Sequence, residues 1–173
     1  MIPFTLKFGS AIGGIMSGVF LVFYLIGGEP DPSHYRTGEI VGYTTMILSM
    51  LTIFFGMRSY RNKKLGGYIT FIKGFLLGIL IAAFAGLIFA AFSTFETAVL
   101  MPDFTDNYYN YQIEQLESSD LPQEQVQQRI EQMKNMPAFV KHPIFQGFLM
   151  GITVFLIGLP IAIISALILR KLE

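Results

Sequence analysis

The sequence predicts an all-α integral membrane protein built as a four-transmembrane-helix bundle. Three observations predict it: few charges, four long runs without an ionisable residue, and an uneven distribution of charge among the segments that join those runs. Hydrophobic residues make up 53% of the chain and charged residues 14%, with a mean hydropathy of +0.55. Soluble domains average about 25% charged residues, so this chain has too few charges to cover a surface that faces water.

The four runs without Asp, Glu, Lys, Arg or His are Phe8–Ile26, Ile40–Met57, Gly74–Phe95 and Ile144–Leu169. Each holds about 18 to 26 residues, which at ~1.5 Å per helical residue matches a hydrocarbon core of roughly 30 Å. The expected spans, within one membrane domain covering residues 1–173, are about 8–26, 40–57, 70–95 and 144–169. The third is expected to start nearer Tyr68 than Gly74, because the residues ahead of its charge-free run are apolar.

Charge separates the two sides of this bundle. Of the 12 basic and 12 acidic residues, eight bases and a single acid, Glu173, lie before the first run, between the second and third, and after the fourth. The remaining segments hold four bases and eleven acids. Short cytoplasmic segments retain Lys and Arg during insertion, so both termini are predicted to be cytoplasmic.

One basic run in the second connection is a candidate contact for anionic lipid headgroups. Its residues are Arg58, Arg61, Lys63 and Lys64. The orientation preference alone explains their charge, so the run does not require a lipid-binding function.

The polar segment between the third and fourth runs is predicted to be a short external amphipathic helical hairpin, at about residues 103–136. Its first helix is expected over about 105–118. Its second is expected to begin near Asp120 as the N-cap, with Pro122 in the first turn, and to stop before Pro137. The apolar surface of this hairpin is too small to support a separate domain. We therefore expect the hairpin to fold back on the span ends or on the membrane surface.

Apolar side chains at helical spacing mark a candidate partner-docking face on this hairpin. They are Tyr108, Tyr111, Val126, Ile130 and Met133.

Small residues recur at every fourth position in three of the spans. They are Gly9, Gly13 and Ser17, and beside them Ser10, Gly14 and Gly18, in the first; Gly74, Gly78, Ala82, Gly86 and Ala90 in the third; and Gly147 and Gly151, then Gly158, Ala162 and Ala166, in the fourth. Such stripes let helices approach closely in lipid. Four spans offer enough partners for packing within the chain, and a homo-oligomer is the alternative.

No chemistry-bearing constellation is visible in the sequence. The charge-free runs disfavour proton-coupled carriers, ion pumps and voltage sensors, which need ionisable groups at depth. Glu96, at the outer end of the third run, is the acid closest to bilayer depth and is expected at the interface. Cysteine is absent, and no spacing typical of a metal site or a hydrolase nucleophile occurs. We therefore predict no enzymatic activity, no cofactor, no metal and no nucleic-acid partner.

The residues between the second and third runs resemble a known family. Phe55-Gly-Met-Arg-Ser-Tyr-Arg-Asn-Lys-Lys-Leu-Gly-Gly-Tyr-Ile-Thr-Phe71, leading into Lys73, Gly74 and Gly78, is similar to the signature of the domain-of-unknown-function 4199 family. Residues 102–104, 112–114 and 122–126 resemble its acidic helical segment. The resemblance implies a four-span protein of the bacterial inner membrane, from Bacteroidota, with the hairpin in the periplasm. It implies no reaction.

The function predicted from these observations is that of a non-enzymatic accessory or scaffold protein, which docks a partner through its acidic periplasmic segment. One alternative is a small oligomeric channel or carrier lined by Thr45, Ser49 and Thr52, which share a face of the second span. Hydrogen bonds between helices, or to carbonyls of the preceding turn, are the ordinary explanation of those hydroxyls. A weaker alternative is a lipid or lipid-phosphate binding protein that uses the basic connection. Membrane lipids are partners in every case.

Overall fold

The computed structural model describes residues 1–171, and the chain is helical almost throughout. The helices are α1 (Ile2–Gly27), α2 (Tyr35–Met50), α3 (Thr52–Lys64), α4 (Phe71–Phe95), α5 (Phe104–Glu117), α6 (Gln123–Lys134) and α7 (Pro143–Leu169). Glu173, the single acid counted on the basic side, lies outside the described residues.

Within residues 1–171, four helical stretches are long and apolar enough to cross a membrane, which confirms the number expected from the charge-free runs. They are Ile2–Gly27, Pro32–Lys64, Phe71–Leu100 and Pro143–Leu169. The second consists of a short 3₁₀ turn followed by α2 and α3, which are separated by Leu51. The Leu51 N–H still bonds to the carbonyl of Ile47 at 3.2 Å, so the hydrogen-bonding pattern of a helix is kept at this junction.

The third long helix begins with a polar cap. Thr70 accepts a hydrogen bond from the backbone N–H of Lys73 at 3.3 Å, and α4 starts at Phe71. This start lies midway between Tyr68 and Gly74, because a Thr side chain at an N-cap stabilises the first turn that follows it.

Helix α4 lies at the centre of the bundle, with its most extensive contact to α7 and its next to α1. Its buried face includes Leu77, Ile81 and Phe89. Many large apolar side chains point away from the bundle instead, and Ile26 is 83% exposed. A soluble monomer rarely leaves contiguous apolar surface of this kind uncovered, whereas a lipid-facing surface requires it.

Glycine brings the backbones of α4 and α7 into direct contact. A Cβ atom added to Gly86 would lie 2.6 Å from the carbonyl oxygen of Gly151, and one added to Gly151 would lie 2.9 Å from that of Gly86. Gly9 and Gly13 of α1 meet α4 with similar closeness, whereas Gly14 has no atom within 4 Å of the corresponding position. One of the two small-residue stripes of α1 therefore packs within the chain, and the other faces outward.

Two ends of the bundle can be distinguished by the contacts made there. At the terminal end, the backbones of Ile69 and Lys171 exchange two hydrogen bonds of 3.0 Å, which join the α3–α4 connection to the tail. At the hairpin end, the Tyr24 hydroxyl of α1 donates to the carbonyl of Leu100 at 3.2 Å. The terminal end and the hairpin end thus lie at opposite ends of the long helices.

Candidate functional site: the anchored helical hairpin

The hairpin consists of α5 and α6, residues Phe104–Lys134. Two serine hydroxyls donate hydrogen bonds to carbonyls in the last turn of α5. Ser118 donates to Glu114 at 2.9 Å, and Ser119 donates to Leu116 at 2.7 Å. These bonds satisfy carbonyl groups that have no partner within the helix. The chain then reverses before α6.

The start of the second hairpin helix differs from the expected one. Its N-cap is Pro122, without a side-chain cap, and the expected cap at Asp120 is wrong. A residue that precedes proline is pushed into extended backbone, so Leu121 cannot continue a helix begun at Asp120. Helix α6 therefore begins at Gln123, after the proline.

An aromatic cluster joins α5 to the start of α2, and we define it as Tyr35, Phe104, Tyr108 and Tyr111. The last three are spaced at i, i+4 and i+7 and therefore share one face of α5. Their ring centroids lie 5.6, 5.7 and 5.2 Å, respectively, from that of Tyr35. Tyr35 is only 4% exposed. Edge-to-face aromatic pairs stabilise by about 0.5–1.5 kcal/mol each beyond area burial, so this cluster is the main attachment of the hairpin.

Polar contacts add to this attachment on two sides. The Tyr108 hydroxyl donates to the Glu39 carboxylate of α2, and the Asn107 amide donates to Glu29 at 3.3 Å. On the other side Lys141, which precedes α7, forms a salt bridge of 2.6 Å with Asp106 of α5. An exposed salt bridge contributes only about 0–1 kcal/mol, so it orients α5 more than it stabilises it.

The candidate docking residues do not form one exposed face. Tyr108 and Tyr111 pack in the aromatic cluster, Val126 is 7% exposed, and Ile130 and Met133 are half-buried. Tyr108 and Tyr111 pack against Tyr35 at the start of α2, so the hairpin folds back on the end of a span. The exposed side chains of α6 are all polar, and they are Gln123, Glu124, Gln125, Gln127, Gln128, Arg129, Glu131, Gln132 and Lys134.

A groove lies between the end of α5 and α6. Its volume is about 570 Å³, and Glu117, Leu121 and Gln127 are among its lining residues. Its mixed polar and apolar lining suits a protein side chain as much as any small molecule.

Comparison with known protein families gives the same family as the sequence signature. The model of a family described as a protein of unknown function, DUF4199, matches residues 7–171, nearly the whole chain. The chain belongs to the DUF4199 family. The resemblance read from residues 55–78 is thereby confirmed. Comparisons with curated proteins and with solved structures find no match.

The basic run of this DUF4199 member lies at the terminal end of the bundle. Arg61 is half-buried and donates to the carbonyl of Leu169 at 3.2 Å, which satisfies a carbonyl at the end of α7. Arg58, Lys63 and Lys64 are exposed. A lipid-headgroup contact therefore stays a prediction for these three side chains, while Arg61 has a structural role as well.

The hydroxyl face of the second span is partly covered by the bundle. Ser49 is buried, and Thr45 and Thr52 are half-buried. Hydroxyls placed in this way suit hydrogen bonds between helices. A channel lined by them stays a hypothesis.

Sequence reasoning did not find the attachment point of the hairpin. The spacing of Phe104, Tyr108 and Tyr111 marks an aromatic face on α5, but only two of these residues were selected. The residues around Tyr35 give no sign of this contact, because α3 and α4 lie between it and α5 in the sequence. Its role depends on a contact between residues that are distant in the sequence.

Titration of Tyr108 should report on the attached hairpin. Burial, followed by the hydrogen bond to Glu39, raises the pKa of Tyr108 to about 12. In an unfolded chain the pKa of tyrosine is about 10. The stabilisation from neutral Tyr108 is therefore fully present below pH ~10 and is lost as the pH rises through about 12. We expect ultraviolet absorbance to show the phenolate transition of Tyr108 as the last of the tyrosine transitions.

The assignment of that transition is checked by single substitutions. Tyr108→Phe should abolish the late transition, and Tyr109→Phe should leave it in place. A late transition that survives in Tyr108→Phe would mean that another tyrosine is responsible.

Proposed function

We propose that this chain is a multi-pass inner-membrane protein with both termini in the cytoplasm and the hairpin in the periplasm. The support is the distribution of charge, since eight bases lie in the segments at the terminal end and eleven acids in those at the other. Retention of Lys and Arg on the cytoplasmic side gives this orientation.

We further propose that the protein is a non-enzymatic accessory or scaffold protein and that its hairpin docks a protein partner. The observation that carries this proposal is the attachment of α5 on two sides, by the aromatic cluster and by the Asp106–Lys141 salt bridge. A segment that is already ordered loses less conformational entropy when it binds. Among the described residues α6 makes its main helix contact with α5, and its exposed side chains are polar.

Charge indicates the chemistry of the partner. Residues 103–136 contain seven acids and two bases. Both bases, Arg129 and Lys134, lie on α6. The acids Glu124 and Glu131, however, share one side of that helix with Gln128. Complementary charge speeds encounter and selects partners, so we propose a partner with a basic surface. The docking surface is assigned to the outward side of α6, around Gln128, in place of the apolar residues that hold the hairpin together.

Site-specific photo-crosslinking in intact cells tests this assignment. A crosslinking amino acid placed at position 128 should form one discrete adduct with a basic protein. The pair Glu124→Lys and Glu131→Lys reverses charge on one side of α6. It should reduce the adduct at least about tenfold, because like charges placed opposite each other at an interface are unfavourable by several kcal/mol.

The matched control carries the same charge change on α5. Glu114→Lys with Glu117→Lys alters exposed acids of the first hairpin helix and should leave the adduct in place. No adduct from position 128, or equal loss with both pairs, would show that α6 is not the docking surface. Hydrogen exchange of α5 verifies that each variant keeps its hairpin attached.

A further inference from the structure

Glu96 is an acid buried inside the bundle. Its side chain is 8% exposed, and the interfacial position expected for it stays a prediction. It opens a π-helical turn, Glu96–Leu100, which extends α4 within the candidate span Phe71–Leu100. Ser93, three residues earlier, continues the buried face of α4, so Glu96 lies on the side of this helix that packs against its neighbours.

Two buried hydroxyl residues lie next to Glu96 along the same helical stretch. Ser93 is 5% exposed and Thr97 is 9% exposed. The Thr97 hydroxyl donates to the Ser93 carbonyl at 2.8 Å, and its lone pairs stay available. Among residues 1–171 the Glu96 carboxyl has neither a hydrogen-bond donor nor a basic side chain as a partner.

The titratable groups that neighbouring elements carry at this end are engaged elsewhere. On α1 the Tyr24 hydroxyl bonds to Leu100, and beyond it Glu29 bonds to Asn107. Glu39 of α2 accepts from Tyr108. Ahead of α7, Lys141 pairs with Asp106 and His142 accepts from the Ile144 N–H. Tyr35 packs in the aromatic cluster, and Arg36 is exposed.

An ionised carboxylate without a partner is costly to bury. A proton on the carboxyl, or a cation held among oxygen atoms, would remove this cost. Either can reach Glu96, because its oxygens are not among the fully enclosed unpartnered atoms of the described residues. Carboxylate and hydroxyl oxygens are ligands suited to hard cations, and π-helical turns occur frequently at functional sites. We propose that Glu96, with the hydroxyls of Ser93 and Thr97, binds one small monovalent cation, H⁺ or Na⁺, at the hairpin end of the bundle.

Reaction with dicyclohexylcarbodiimide tests this site on the full chain in lipid nanodiscs. A protonated carboxyl in apolar surroundings adds its O–H across a C=N bond of the reagent and rearranges to a stable N-acylurea, which peptide mass spectrometry locates. We expect Glu96 to be labelled at acidic pH. Its labelling should fall about tenfold per pH unit once the carboxyl ionises.

Labelling at fixed pH is then compared in Na⁺ and in choline at equal ionic strength. This comparison distinguishes a sodium site from a proton site. Protection of Glu96 by Na⁺ identifies a sodium site, and labelling that depends on pH alone identifies a proton site; both outcomes support the proposal. Absence of labelling at every pH, or labelling of Glu96 no greater than that of the exposed Glu114, overturns it.

Glu96→Gln is the matched variant, because glutamine has the shape of the neutral acid. It should lose the Glu96 label. The melting temperature of the wild-type chain in choline should fall as the pH is raised, within the range below pH ~10 in which tyrosines stay neutral. That of Glu96→Gln should not respond over the same range. Parallel pH dependence of the two chains would show that no cation binds at Glu96.

Discussion

Replacing Gly86 with alanine is expected to destabilise the protein by about 3 kcal/mol, the upper part of the range for inserting a methyl group into a packed core. The new Cβ would lie 2.6 Å from the carbonyl oxygen of Gly151, well inside van der Waals contact. The obstructing atom belongs to a helix backbone and cannot rotate away, so α4 and α7 must separate. Since this pair has the most extensive helix contact in the chain, much of the bundle should loosen. Thermal unfolding in detergent measures the effect.

Gly14→Ala is the control for this substitution, because no atom lies within 4 Å of the Cβ it would add. Alanine is a better helix residue than glycine by up to about 1 kcal/mol, so this variant should be neutral or slightly stabilised. Opposite signs for the two variants are the expected result. Equal small effects would contradict the close α4–α7 contact. Strong destabilisation by Gly14→Ala would reveal a second molecule on that face of α1.

Tyr35→Ala is expected to detach the hairpin and to cost about 3–5 kcal/mol, as other truncations of large buried aromatic residues do. Tyr35 contacts three rings of α5, and its removal leaves Phe104, Tyr108 and Tyr111 without a common partner. The remaining contacts of α5 are exposed and contribute little. Amide hydrogen exchange should therefore accelerate throughout α5 while α4 and α7 stay protected.

Two variants show whether the ring of Tyr35 is what matters. Tyr35→Phe keeps the ring and should keep α5 protected, because the hydroxyl has no hydrogen-bond partner among the described residues. Tyr43→Ala removes a ring of the same helix that is 53% exposed and should also leave α5 protected. Slow exchange of α5 in Tyr35→Ala would show that another contact holds the hairpin.

The number of long helices was predictable because it depends on local composition. A run such as Gly74–Phe95 has the length and hydropathy of a membrane span wherever it packs. The hairpin was predictable for a related reason, since a polar segment with helical spacing lies between two apolar ones. The start of α6 was missed by a few residues because Pro122 restricts the residue before it more strongly than Asp120 favours a cap.

The sequence by itself determined the helical spans, the asymmetry of charge between their connections and the presence of small-residue stripes. Only the tertiary structure decided that Gly9 and Gly13 face α4 while Gly14 faces outward, that Tyr35 holds α5, and that Glu96 is buried. The reason is physical. Periodicity shows which residues share a face of a helix, but what covers that face depends on packing between segments that are distant in the chain.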